Sequence, residues 1–188
     1  ELFFGAVVQE DRSVLDLIDA DYTFVNERLA KHYGIPNIYG PRFRRVTLPP
    51  SLDVRRGLLG KGALMTVTSM PARTSPVIRG KWYLTTFLGV MPPDPPPDVP
   101  AFAERKQDTT GNTRPPTMRE ALEKHRINAT CASCHQIFEP MGLALENFDA
   151  TGTWRTLDEG KPIDASGVLP DGTRVNGVLD LRASLRTR

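Results

Sequence analysis

Apolar residues recur at helical spacing along much of the chain. Leu2, Phe3, Phe4, Val7 and Val8 read as the end of an apolar helix. Asp11 and Ser13 offer helix starts ahead of Val14, Leu15 and Leu17. A further start at Asp21 predicts a helix through Phe24, Val25, Leu29 and Tyr33, closed by Gly34. Glu27, Arg28 and Lys31 mark its solvated side, and His32 lies near its end, where a cation suits the helix dipole. Residues 43–48 alternate as a short strand, followed by Pro49 and Pro50. The apolar run from Leu58 to Val67 fits a helix or an extended segment. Ser75 as N-cap with Pro76 at the first helical position starts the next helix, whose apolar face is Val77, Leu84, Phe87 and Leu88 and which Gly89 ends. Thr117-Met118-Arg119-Glu120 is a capping box, and Met118, Ala121, Leu122 and His125 share one face behind it. Residues 163–175, with Asp171-Gly172, read as a small hairpin, and Leu179, Leu181 and Leu185 as a final helix.

Helix-breaking residues interrupt this pattern in two places. Residues 92–100 hold six prolines and read as a polyproline II strap. Such a strap either fills a partner's aromatic groove or wraps its own domain as a stiff connector, and Asp94, Asp98 and Val99 as anchors favour the connector. Residues 106–116 form a polar loop suited to a boundary. A chain of 188 residues with 39% apolar content allows one domain or two small ones. Its 24 basic and 22 acidic residues nearly cancel, so charge points to neither a nucleic-acid nor a membrane surface. No apolar run reaches the roughly 18 residues of a spanning helix. The start at Glu1 and the basic ending read as a fragment of a longer protein.

The candidate chemistry sits in Cys131-Ala132-Ser133-Cys134-His135, which contains both cysteines of the chain. C-x-x-C-H is a c-type haem attachment pattern. Two thiols three residues apart add across the two vinyl groups of one haem edge, and the next residue's imidazole lies under the iron. A thioredoxin-like redox pair needs a βαβ context that these residues lack. A structural zinc site needs four ligands, and His32 and His125 have no zinc-finger spacing. A disulfide across two residues would be strained. One covalent haem c, with His135 on the iron, is therefore the expectation. Thr130 is a candidate N-cap, and Pro140 is expected to end the haem helix and to orient His135 through its carbonyl. The opposite axial position has Met70 as first candidate and Met91 as second, ahead of Met65, Met118, Met141 and His125. Met70 precedes Pro71 in a loop anchored by a capped helix. Arg73, Arg79, Trp154 and Arg155 are candidate propionate partners through N–H donors.

Several stretches together resemble a known group. They are residues 21–30 (Asp21-Tyr22-Thr23-Phe24-Val25 onward), Arg73-Thr74-Ser75-Pro76-Val77, Arg79-Gly80-Lys81-Trp82, the proline strap, the haem motif, Leu145-Glu146-Asn147-Phe148-Asp149 and Trp154-Arg155. The chain resembles the planctomycete-type multidomain cytochrome-c-like proteins, which are built from consecutive domains of unknown function. The resemblance implies residues 1–50 as the tail of a preceding helical domain, 51–158 as a haem-c-bearing domain, and 159–188 as a hairpin and the start of a following domain. It also implies export to the periplasm or cell envelope, where covalent haem is attached. The expected fold is mainly α, a cytochrome-c-like haem domain with a small β-hairpin and a polyproline II strap. The expected function is electron transfer to a redox partner protein or to other domains of the same protein. A haem-dependent oxidoreductase, peroxidase- or oxygenase-like, and a purely structural haem are the alternatives.

Overall fold

A computed structural model describes residues 1–92 and 114–187 of the chain. The helices are α1 (Leu2–Gln9), α2 (Asp16–Asp19), α3 (Glu27–Tyr33), α4 (Gly62–Val67), α5 (Pro76–Phe87), α6 (Met118–His125), α7 (Ala129–Leu143) and α8 (Gly177–Arg186). Two 3-10 turns, Pro50–Arg55 and Leu58–Gly60, precede α4. The strands are β1 (Tyr22–Val25), β2 (Arg44–Thr47), β3 (Leu157–Asp158), β4 (Lys161–Pro162), β5 (Ser166–Val168) and β6 (Arg174–Asn176). They pair in sequence order as three two-stranded antiparallel sheets. About 48% of the structure is helical. With those sheets the fold is mixed α/β rather than mainly α. The proline strap beyond Pro92 and the polar loop before Arg114 lie outside the described residues.

Local signals account for most helix ends. The Ser75 hydroxyl accepts the Ile78 N–H at 3.3 Å, with Pro76 behind it. Thr117 and Glu120 close their capping box at 3.2 and 2.9 Å. Gly34 ends α3 at φ 74°, the left-handed region that glycine enters without a Cβ clash. The helix start expected at Asp21 is overturned. Tyr22, Thr23, Phe24 and Val25 are aromatic and β-branched, and they pair with β2 in the register Tyr22↔Thr47 to Val25↔Arg44. Asn26 is the cap instead, accepting the Leu29 N–H at 3.0 Å.

One apolar cluster organises the molecule. Leu59, Met65, Tyr83, Phe138, Met141 and Phe148 belong to it, and so do Val175, Val178, Leu181 and Leu185. The β5–β6 hairpin and α8, within residues 159–188, contribute Val175, Val178, Leu181 and Leu185 to this core beside α5 and α7. α8 is tied further by Arg182, which donates to the Asp53 carbonyl and carboxylate at 2.6 and 2.7 Å. The N-terminal segment is interlocked with the same body. The Tyr33 hydroxyl accepts the Gly62 N–H at 2.7 Å, and the His32 ring meets the Thr151 carbonyl at 2.9 Å. The Arg55 guanidinium lies 4.5 Å from the Tyr33 ring centroid and 5.0 Å from that of Phe148.

Lys61 is an ionic liability in this junction. Its ammonium lies 4.2 Å from the Phe3 ring centroid, donates to the Arg55 carbonyl at 3.3 Å and neighbours the Arg55 cation. Burial, then repulsion by Arg55, lowers its pKa to about 7 from 10.5. Between those two values the unfolded chain binds more protons at this site than the folded one, so stability rises with pH. Below pH about 7 the cost of the buried cation is present in full, and it fades as pH approaches 10.5. Lys61→Met is expected to raise the urea midpoint most at pH 6–7 and hardly at all near pH 10. A pH-independent difference would show that the lysine is solvated.

Candidate functional site

The C-x-x-C-H segment lies in the first two turns of α7. The start of this helix differs from expectation. Asn128, rather than Thr130, is the cap, and its side-chain oxygen accepts the Thr130 N–H at 2.9 Å. Cys131 and Cys134 then fall one turn apart, both partly exposed and both free thiols. Cys134 packs on the edge of the main cluster while Ser133 turns its hydroxyl back to the Thr130 carbonyl at 2.8 Å.

Pro140 does not end this helix. It sits inside α7, which continues to Leu143, and its carbonyl accepts the Ala144 N–H at 3.1 Å. That carbonyl is consumed by the helix ladder, so the orienting role expected for it passes elsewhere. It falls to Glu139, whose Oε1 lies 2.5 Å from His135 Nδ1. The Glu139 side chain is 0% exposed and that of His135 is 16% exposed. The other carboxylate oxygen, Oε2, forms an ion pair with Arg126 Nε at 3.2 Å, without an aligned hydrogen bond. The ring of His125 packs 4.9 Å from that of His135, and the ring of Phe138 lies 5.4 Å from it. Burial, then the neighbouring His135, lowers the pKa of His125, with Glu139 pulling the other way. His125 was foreseen on the inner face of α6. Glu139 was not, although its i+4 spacing from His135 is the signal that locates it.

The donor set fits a covalent haem. A carboxylate only accepts, so the Glu139 contact puts the proton of a neutral His135 on Nδ1 and the lone pair on Nε2. Among the described residues nothing else engages that Nε2. Two free thiols a turn apart and one such imidazole are what a haem edge and its iron require. Among the described residues no group of three or more His, Cys, Asp or Glu is arranged to hold a bare metal ion.

The other expected site residues are spread over several elements. Met70 and Arg73 face each other across a tight turn, each backbone N–H donating to the other's carbonyl, and the Met70 side chain is 42% exposed. Arg73 and Arg155 line one cleft with Thr74, Asp149 and Asp158, a cleft that includes none of the motif residues. The Arg155 guanidinium is held by Glu146 and Asp158, each at 3.0 Å. Trp154 stands edge-on to Phe148, with centroids 5.1 Å apart. Arg79 is buried among main-chain acceptors. Arg79 and Arg155 thus donate to acceptors within the fold, while Trp154 packs on Phe148 and stays 38% exposed. Met65, Met118 and Met141 are core residues, and Met91 is exposed.

Two family models match the chain. One, PSCyt3, a protein of unknown function (DUF1588), covers residues 55–158. The other, PSD4, also a protein of unknown function (DUF1592), covers residues 1–35. No curated protein and no solved structure matches. Among the described residues no helix is long and apolar enough to cross a membrane.

Proposed function

The chain belongs to the PSCyt3 (DUF1588) family, whose model spans more than half of it, and from that membership we propose a c-type cytochrome domain. It carries one covalent haem on Cys131 and Cys134, with His135 as axial ligand, and passes electrons within a larger exported multidomain protein. The family's name, which suggests a cytochrome-like domain, supports this reading. The observation that carries it is the arrangement on α7: two free thiols one turn apart, followed at once by an imidazole whose Nδ1 is already held. When bound, haem supplies a one-electron Fe(III)/Fe(II) couple. The chain's own residues do the rest. Cys131 and Cys134 fix the ring edge, Glu139 and Phe138 fix the imidazole plane, and Cys134 seats the attachment against the core. Met70 remains the proposed opposite ligand, carried by the Met70–Arg73 turn.

The experiment is expression of the chain with cytochrome c maturation machinery in a bacterial periplasm. Haem is expected to stay with the polypeptide through denaturation and acid-acetone extraction, adding the mass of one haem and leaving no alkylatable thiol. Cys131→Ala and Cys134→Ala are each expected to leave a single thioether, visible as a shifted pyridine haemochrome band. Extraction of the haem, or full alkylation of both thiols in the matured protein, overturns the proposal. Met70→Ala is expected to convert a low-spin oxidised spectrum to a high-spin, ligand-accepting one. An unchanged low-spin spectrum removes Met70.

A further inference from the structure

A fully buried carboxylate is costly unless its partners need it. Glu139 is such a group: it lies on α7, next to Phe138 and Met141 of the core, with 0% side-chain exposure. Its two partners are unlike. Oε1 takes the Nδ1–H of His135 at 2.5 Å, whereas Oε2 meets Arg126, at the end of α6, through an ion pair of 3.2 Å that lacks hydrogen-bond alignment. The closer contact is thus to His135, and Arg126 shares the carboxylate's charge through the less aligned pair. A main-chain carbonyl in this position would orient an imidazole and add no charge. A carboxylate does both: it fixes the ring, and it makes the Nε2 lone pair more basic.

We propose that Glu139 is a positioning residue that turns His135 Nε2 toward the haem iron and, through its negative charge, holds the haem at a low reduction potential. The inference rests on the haem reading above. An anionic partner on Nδ1 strengthens electron donation from Nε2 and favours Fe(III) over Fe(II), and hydrogen bonding around the axial ligand is one of the levers a protein has on haem potential. Arg126 sets how much of the charge reaches His135. Two substitutions therefore act in opposite senses. Glu139→Gln keeps the size and an accepting oxygen but removes the charge. Arg126→Ala leaves the carboxylate to His135 alone.

The test uses the matured chain with its covalent haem and measures the midpoint potential by optical spectroelectrochemistry at one pH. Glu139→Gln is expected to move the Fe(III)/Fe(II) balance about tenfold toward Fe(II), an upward shift of about 59 mV for one electron. Arg126→Ala is expected to move it severalfold the other way. A purely structural Glu139 would lower the melting temperature of both variants and leave both potentials in place, and that result overturns the inference while the haem reading stands. If Glu139→Gln does not fold, the sign of the Arg126→Ala shift decides alone: downward supports the proposal, and unchanged or upward overturns it. A wild-type chain from which haem is extracted overturns the haem reading itself and is recognised before any potential is measured.

Discussion

Arg79→Met is expected to remove about 4 kcal/mol or more of stability, a loss of the same order as the 5–15 kcal/mol that holds a typical domain together. Arg79 is 1% exposed and joins segments some 70 residues apart. Its guanidinium donates to the carbonyls of Leu145, Phe148 and Asp149 at 2.9, 2.8 and 2.8 Å, to the Ser69 hydroxyl at 3.1 Å, and to the Glu146 carboxylate at 3.3 Å. Methionine fills the volume and satisfies none of these acceptors. Each orphaned buried acceptor costs about 1–3 kcal/mol, and removing one member of a buried ion pair about 3–5. Glu146 would keep Arg155 and the Thr74 hydroxyl as partners, which limits the loss. Burial already pushes the Glu146 carboxyl above its ordinary range against the pull of Arg79 and Arg155, so the variant is expected to protonate it more readily. Arg79→Lys is expected to recover only part of the loss, because an ammonium's three donors do not reproduce the planar fork. Urea unfolding followed by circular dichroism measures this. A change under about 1 kcal/mol would mean that water replaces the guanidinium.

This network also shows where the sequence was legible. Signals confined to a few residues came through: Ser75-Pro76, the Thr117–Glu120 capping box, Gly34, the strand at 43–48 and the turn at Asp171-Gly172. Each is a local exchange of backbone partners, which residue type and spacing specify. The segment 22–25 failed because its apolar pattern suits a helix as well as a strand, and only pairing with β2 decides between them. The stretches Arg79-Gly80-Lys81-Trp82 and Leu145-Glu146-Asn147-Phe148-Asp149 stood out in the sequence, but nothing there says that one supplies the donor and the other the acceptors. The salt bridges of Arg155 are hidden in the sequence for the same reason. An arginine's partner is a tertiary fact, and here it is Glu146 and Asp158. In the candidate site the motif was fully legible, and the cap and the orienting group were not. A proline after the motif suggested a helix end, yet α7 continues past Pro140, which packs beside Gly167 of β5. The i+4 carboxylate of Glu139 went unread.

Gly80→Ala and Gly142→Ala are each expected to be strongly destabilising, and not to add. A Cβ on Gly80 of α5 would lie 1.8 Å from the Phe138 carbonyl oxygen of α7, and one on Gly142 of α7 would lie 1.8 Å from the Pro76 carbonyl oxygen of α5. The contacts are reciprocal. Gly80 is four residues beyond Pro76, and Gly142 four beyond Phe138, so each helix presents a glycine to the other's backbone one turn from where it receives one. Neither obstacle is the end of a flexible side chain, so the helices themselves must move apart. Overpacking a core costs about 1–3 kcal/mol, and a backbone obstacle places each variant at or above the top of that range. Once one alanine has opened the crossing, the second meets less resistance, so the double variant is expected to lose clearly less than the sum. Gly5→Ala is the control. Gly5 lies in α1 with nothing within 4 Å of its would-be Cβ, and alanine there is expected to stabilise by about 0.5–1 kcal/mol, the helix preference alone. α7 also carries Cys131, Cys134 and His135, and Phe138, whose carbonyl faces Gly80, has its ring 5.4 Å from the imidazole. A shift of the crossing is therefore expected to lower the fraction of chain matured with haem at Gly80→Ala, and to leave it unchanged at Gly5→Ala. Strictly additive losses in urea, or a Gly80→Ala chain as stable as the parent, would show that the two helix backbones do not touch as described.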